Sequence, residues 1–147
     1  MRSRCLQVDD KRDAIVAGAV AAILSGVPST VHAVLAGEDP FEASLAAGTL
    51  LLPRETRRGR LLAAAAPTHL LLSFGWAFVL TATLPRRRTT VAAPIAGLGI
   101  AALDLGVVGR HFPRIRALPA LPQIADHLAY ATVVGAVLEH RRSRSGR

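Results

Sequence analysis

Residues 61–84 run for twenty-four positions without a charge, bracketed by Arg57, Arg58 and Arg60 before and Arg86, Arg87 and Arg88 after. As a helix rising 1.5 Å per residue, the stretch is roughly 36 Å long, enough to cross a bilayer's hydrocarbon with some tilt. A core helix of a water-soluble domain rarely exceeds about 20 residues and carries a polar face, which this one lacks. The stretch predicts a transmembrane helix, so the rest of the chain is read with lipid as its solvent. A hydrophobic content of 51% agrees with that class.

Three more long apolar stretches occupy residues 14–36, 91–109 and 123–140. Together they predict an all-α membrane protein, with four transmembrane helices in an antiparallel bundle over residues 14–140. Residues 1–13 are a polar N-terminus and residues 141–147 a basic, disordered tail. In the first span Pro28 removes a backbone donor and predicts a kink, with Ser25 and Ser29 at hand to satisfy the freed groups. Ala14, Gly18, Ala22 and Gly26 recur every four residues, a small-residue groove into which another helix can pack. Gly97 in the third span and Gly135 in the fourth are candidates for the same close approach. A basic start followed by an apolar run also fits a cleaved signal peptide. Asp9, Asp10 and Asp13 ahead of the apolar run, and the length of the start region, argue against cleavage.

Residues 40–52 predict a shorter helix. Asp39 is placed to cap it, Pro40 suits the first helical position, and Glu42 stands three after the cap, as in a capping box. Phe41, Leu45, Thr49 and Leu52 share one face. About twelve residues span only roughly 18 Å, so this helix should lie at the interface or dip in and return. Within 61–84, Pro67, Thr68 and His69 interrupt the apolar run. Residues 86–90 form a tight turn, and Pro113, Pro119 and Pro122 block regular helix across 110–122.

Eighteen basic residues against ten acidic ones give a net charge of +8. They sit in short groups beside apolar runs, the pattern of interfacial anchors and not of a groove that tracks nucleic acid. With four spans, eleven basic residues fall on the side of the N-terminus and seven on the other. The positive-inside rule then places both termini in the cytoplasm and the protein in the cell (inner) membrane. Cys5 has no second cysteine to bridge to and reads as a free thiol.

The residues that could carry chemistry coincide in depth. His32 lies near the far end of the first span, His69 in the first third of the second, and Asp104 near the far end of the third. Asp126 and His127 open the fourth. In an antiparallel bundle all five fall toward the outer surface, where the short helix and the Pro-rich connector could lid them. Buried ionisable groups cost a few kcal/mol each, so in membranes they face one another or a wet cavity. They can lock helix packing by hydrogen bonds, or bind a proton or solute, with histidine titrating near neutral pH and Asp104 as its partner. Imidazoles with a carboxylate also suit zinc or iron, but no local ligand motif supports a metal, and no cofactor is expected. Nucleophile-elbow and phosphate-loop patterns are missing, which argues against an enzyme. The small four-helix multidrug pumps depend on a glutamate deep in the first span, and this chain has none there.

Across residues 18–32 and again 112–135, the chain resembles small polytopic membrane proteins of the actinobacterial type. That resemblance implies a multi-span fold and no particular activity. The sequence therefore leads to a structural or accessory membrane component, with a small proton-linked transporter or channel as the alternative. The expected partners are the lipid bilayer and further copies of the chain or a larger membrane complex, with no nucleic acid.

Overall fold

A computed structural model describes residues 8–145, and every regular element among them is helical. In order these are α1 (Val8–Leu24), α2 (Val27–Ala36), α3 (Glu42–Gly48), α4 (Arg58–Thr83) and α5 (Thr89–Leu103). A π-helical turn at Asp104–Val108 and a 3-10 turn at Gly109–His111 extend α5, and α6 (Pro113–Arg116) and α7 (Ala120–Ser145) follow. Cys5, and Gly146 and Arg147 of the tail, lie outside the described residues.

Among the described residues, three helical stretches are long and apolar enough to cross a membrane: Asp9–Ala36, Arg58–Thr83 and Thr89–His111. Their outward faces carry large apolar side chains, with Leu35 83% exposed, Ile23 79% and Leu71 71%. Monomeric proteins in water seldom show apolar faces of this extent. The fourth expected span is a helix as well, but Gln123, Asp126, His127, Glu139 and His140 keep it below that apolarity. α7 packs against four other helices, α5, α1, α2 and α4.

Small side chains set the distances. Ala17, Ala21, Ala93 and Ala131 are wholly buried, and with Leu80, Ile100, Tyr130, Val134 and Leu138 they form the core. A Cβ on Gly18 would lie 3.0 Å from the Ala77 Cβ on α4, and one on Gly135 would lie 2.5 Å from the Ala93 Cβ on α5. At Gly97 it would come within 2.8 Å of the His127 carbonyl oxygen. The four-residue spacing in α1 behaves differently along its length. Each step of four overshoots the 3.6-residue turn by about 40°, so the stripe rotates off the contact. Ala14 and Gly18 are buried and Ala22 is half-buried, while a Cβ on Gly26 would meet nothing. Ala17 and Ala21 take over the buried face. Gly26 is therefore not a packing residue; it sits in the break between α1 and α2.

Several boundaries depart from the sequence reading. Helix begins ahead of residue 14, and its first turns lie beside the ends of α4 and α7, where Arg86 reaches Asp10 at 3.1 Å and Arg141 binds Asp13. The expected disordered tail is helical through Ser145, since Arg141 and Arg142 are tied to the bundle, Arg142 donating to the Thr81 carbonyl at 3.2 Å. α4 opens at Arg58, ahead of residue 61, and continues through Pro67 as one span over 61–84 requires. Pro122 lies within the first turn of α7, where an amide would have no intrahelical acceptor, so it does not block the helix. The short helix is only Glu42–Gly48, and its buried face is Leu45, Ala46 and Gly48, docked on the start of α4. The capping box does not form. Asp39 accepts the Phe41 amide at 2.9 Å and binds Arg58, while Glu42 turns away to Arg114. Charge-assisted pairing with a guanidinium is the stronger hydrogen bond, and it wins.

Candidate functional site

The site grows out of the break in the first span. Pro28 has no amide to donate, and Gly26 at the N-cap of α2 has no side chain to cap with, so the first-turn amides of α2 need partners from elsewhere. The Ser29 amide donates to Asp126 Oδ1 on α7 at 2.9 Å. Thr30 Oγ1 donates to the Gly26 carbonyl at 2.7 Å. On the other side of the break, the carbonyl of Ala22, in the last turn of α1, accepts from His69 Nε2 on α4 at 2.8 Å. A carboxylate at a helix N-terminus and an imidazole at a C-terminus each suit the local dipole. Two neighbouring helices thus seal one break, each supplying a partner for backbone that the break leaves unpaired.

Asp104 and His127 form the second part. Asp104 opens the π-helical turn, in which the Gly109 amide donates to the Asp104 carbonyl. A Cβ on Gly109 would fall 2.9 Å from that carbonyl oxygen and 2.7 Å from Ile115 Cγ2, so the turn closes only around glycine. His127 Nε2 lies 3.3 Å from Asp104 Oδ2, and its Nδ1 lies 2.7 Å from the Gln123 carbonyl one turn back on α7. Both side chains keep some exposure, 20% for His127 and 24% for Asp104.

Beside these groups lies a pocket of about 410 Å³, lined by Ser29, His32, Glu42, Arg114, Pro122 and Gln123 among others. α3 and α6 close one side of it, joined by Arg114 and Glu42 through two hydrogen bonds of 2.6 and 2.8 Å. Glu42 holds the Arg114 guanidinium above its ordinary range. Below the lid, the hydrogen bonds from the Arg58 guanidinium and then from the Phe41 amide bring the Asp39 carboxyl down to about 2. Arg114 and Glu42 are 33% and 40% exposed, so solvent screens their pairing and it orients the lid more than it stabilises the fold.

Of the five residues proposed from the sequence, the structure pairs Asp104 with His127 directly. Asp126 and His69 each bind backbone at the α1–α2 break, and Asp126 is within electrostatic range of both His69 and His127. His32 lies exposed on the pocket wall. Asp104 therefore faces His127, and not His32 or His69. No group of three His, Cys, Asp or Glu side chains is placed to hold a metal ion among the described residues.

Sequence reasoning missed the lid pair and a second helix end capped from α7, where the Thr90 amide donates to Glu139 Oε2 at 3.2 Å. It also missed the hydrogen bond from the Tyr130 hydroxyl to the Ser73 carbonyl. Pro28 did signal unpaired amides, but nothing local to it points to a residue 98 positions later as the acceptor. Compared with protein-family models, curated proteins and solved structures, the chain matches none.

Proposed function

We propose that this chain is an integral protein of the cell (inner) membrane that crosses four times, with both termini in the cytoplasm, and serves as a non-enzymatic structural or accessory component. One observation carries the reading: polar side chains within the long helices are spent on the chain's own backbone. Asp126 and Glu139 cap α2 and α5, His69 closes the end of α1, and Tyr130 binds α4. Groups used this way hold helices in register and leave few free for turnover. α7 counts as the fourth span because its 26 residues reach about 39 Å and Asp126, His127, Tyr130 and Glu139 are bonded to other helices, so lipid need not solvate these groups. The test is affinity purification of the tagged chain in mild detergent. A stoichiometric membrane companion is expected; recovery of the chain alone would count against an accessory role.

A small proton-linked transporter or channel is the second reading, favoured by the Asp104–His127 pair beside a pocket on the same end of the bundle. It predicts proton flux in reconstituted vesicles that Asp104→Asn abolishes while insertion stays intact. Unchanged flux in that variant would remove Asp104 from the role.

A further inference from the structure

We propose that Asp104 and His127 constitute a one-proton site, and that losing this proton releases the π-helical turn at the end of α5 from α7. The site is the one used by the second reading above, but the inference does not require transport.

The argument is one of donors and acceptors. His127 Nδ1 lies 2.7 Å from a backbone carbonyl oxygen, which has no hydrogen to give, so Nδ1 carries one. Nε2 then faces Asp104 Oδ2 at 3.3 Å. An unprotonated ring nitrogen and a carboxylate oxygen would present lone pairs to each other and repel. The contact exists only if a proton lies between them, as imidazolium facing carboxylate or as neutral imidazole accepting from a carboxylic acid. These are two descriptions of a single bound proton belonging to the pair. A doubly protonated pair also keeps the hydrogen bond. Only the proton-free pair loses it.

Other charges around the ring do not replace that proton. Asp126, adjacent on α7, has an oxygen committed to the Ser29 amide and adds negative charge. His69 from α4 donates its Nε2 hydrogen to Ala22, and Arg114 from α6 is bound to Glu42. Gln123, which holds the ring, lines the neighbouring pocket and so connects the pair to it. The element on the other side is suited to move. A π-helical turn is a rare, single-turn departure from α-geometry, and a Cβ on Gly106 within it would meet nothing.

The experiment is hydrogen–deuterium exchange of the full chain in lipid nanodiscs from about pH 5 to about pH 9, bracketing histidine's ordinary range. Rates at residues 104–108 are corrected for intrinsic exchange, and side-chain 15N spectra report the tautomer of His127. In the wild type, corrected exchange of the turn should rise at least about tenfold toward high pH, and His127 should appear as imidazolium or as the Nδ1–H tautomer. Asp104→Asn and His127→Gln each supply a permanent amide hydrogen to the contact, so both should stay closed with flat profiles. A neutral Nε2–H tautomer in the wild type would overturn the proposal, as would a pH-independent turn or a wild-type profile in Asp104→Asn. The expected profile in a chain that moves no protons across vesicles would sustain the proton site and remove the transport reading. Flux without that profile would do the reverse.

Discussion

A carboxylate taken out of water between packed helices is costly unless it is hydrogen-bonded, so it must find a partner or water. Asp126 finds the Ser29 amide, which Pro28 and Gly26 leave without an acceptor inside its own helix. The two defects cancel: a break that needs a carboxylate meets a carboxylate that needs a donor. Asp126→Ala should therefore cost about 1 to 3 kcal/mol, the penalty for a buried amide left unpaired. Asp126→Asn, which keeps an acceptor oxygen, should recover most of it. Denaturant titration of the detergent-solubilised protein would check this, and an Ala variant as stable as the wild type would show that water does the capping. The types of these ionisable residues and their common depth were legible in the sequence. Their partners were not, because a carboxylate's partner is chosen by three-dimensional proximity, and Ser29 lies 97 positions from Asp126.

Elements show where pattern and geometry part. The glycines of α5 look alike in sequence, yet a Cβ on Gly97 would strike the His127 carbonyl and the Ala131 Cβ at 2.8 and 2.9 Å, while one on Gly99 would meet nothing. Gly97→Ala should lower stability by about 1 to 3 kcal/mol, because a backbone oxygen cannot swing aside as a side chain can. Gly99→Ala should be neutral or slightly stabilising, since alanine is the better helix former. Thermal midpoints of the two variants, read side by side in one detergent, would decide it; equal losses would mean that α5 packs on α7 by another face. The same contrast explains α1, where Gly18 lies against Ala77 and Phe74 and Gly26 touches nothing. It also bears on α3, which Asp39 and Pro40 place from residue 40 but which starts at Glu42 with Phe41 at its N-cap. Its capping box is lost because Arg58 and Arg114 arrive from other parts of the chain.

Over the whole molecule, α7 is the one of the long helical stretches that falls short of a span's apolarity, and it packs against four other helices. The proposed topology of four crossings with both termini in the cytoplasm predicts that a reporter fused after the last residue is active on the cytoplasmic side. Truncation before Ala120 should move the same reporter across the membrane. An unchanged side would mean that α7 does not cross. What the sequence determined alone was the all-helical class and the long apolar stretches. Apolar length and flanking arginines act locally, and three of the four stretches reach the length and apolarity of a span whatever packs beside them. The tertiary structure decided which small residues touch, which helix is central, what seals the break at Pro28, and that Asp104 faces His127. Each of these depends on the rotation of one helix against another. An angle of that kind is set by the sum of many close contacts between alanines and glycines, and no single stretch of sequence contains it.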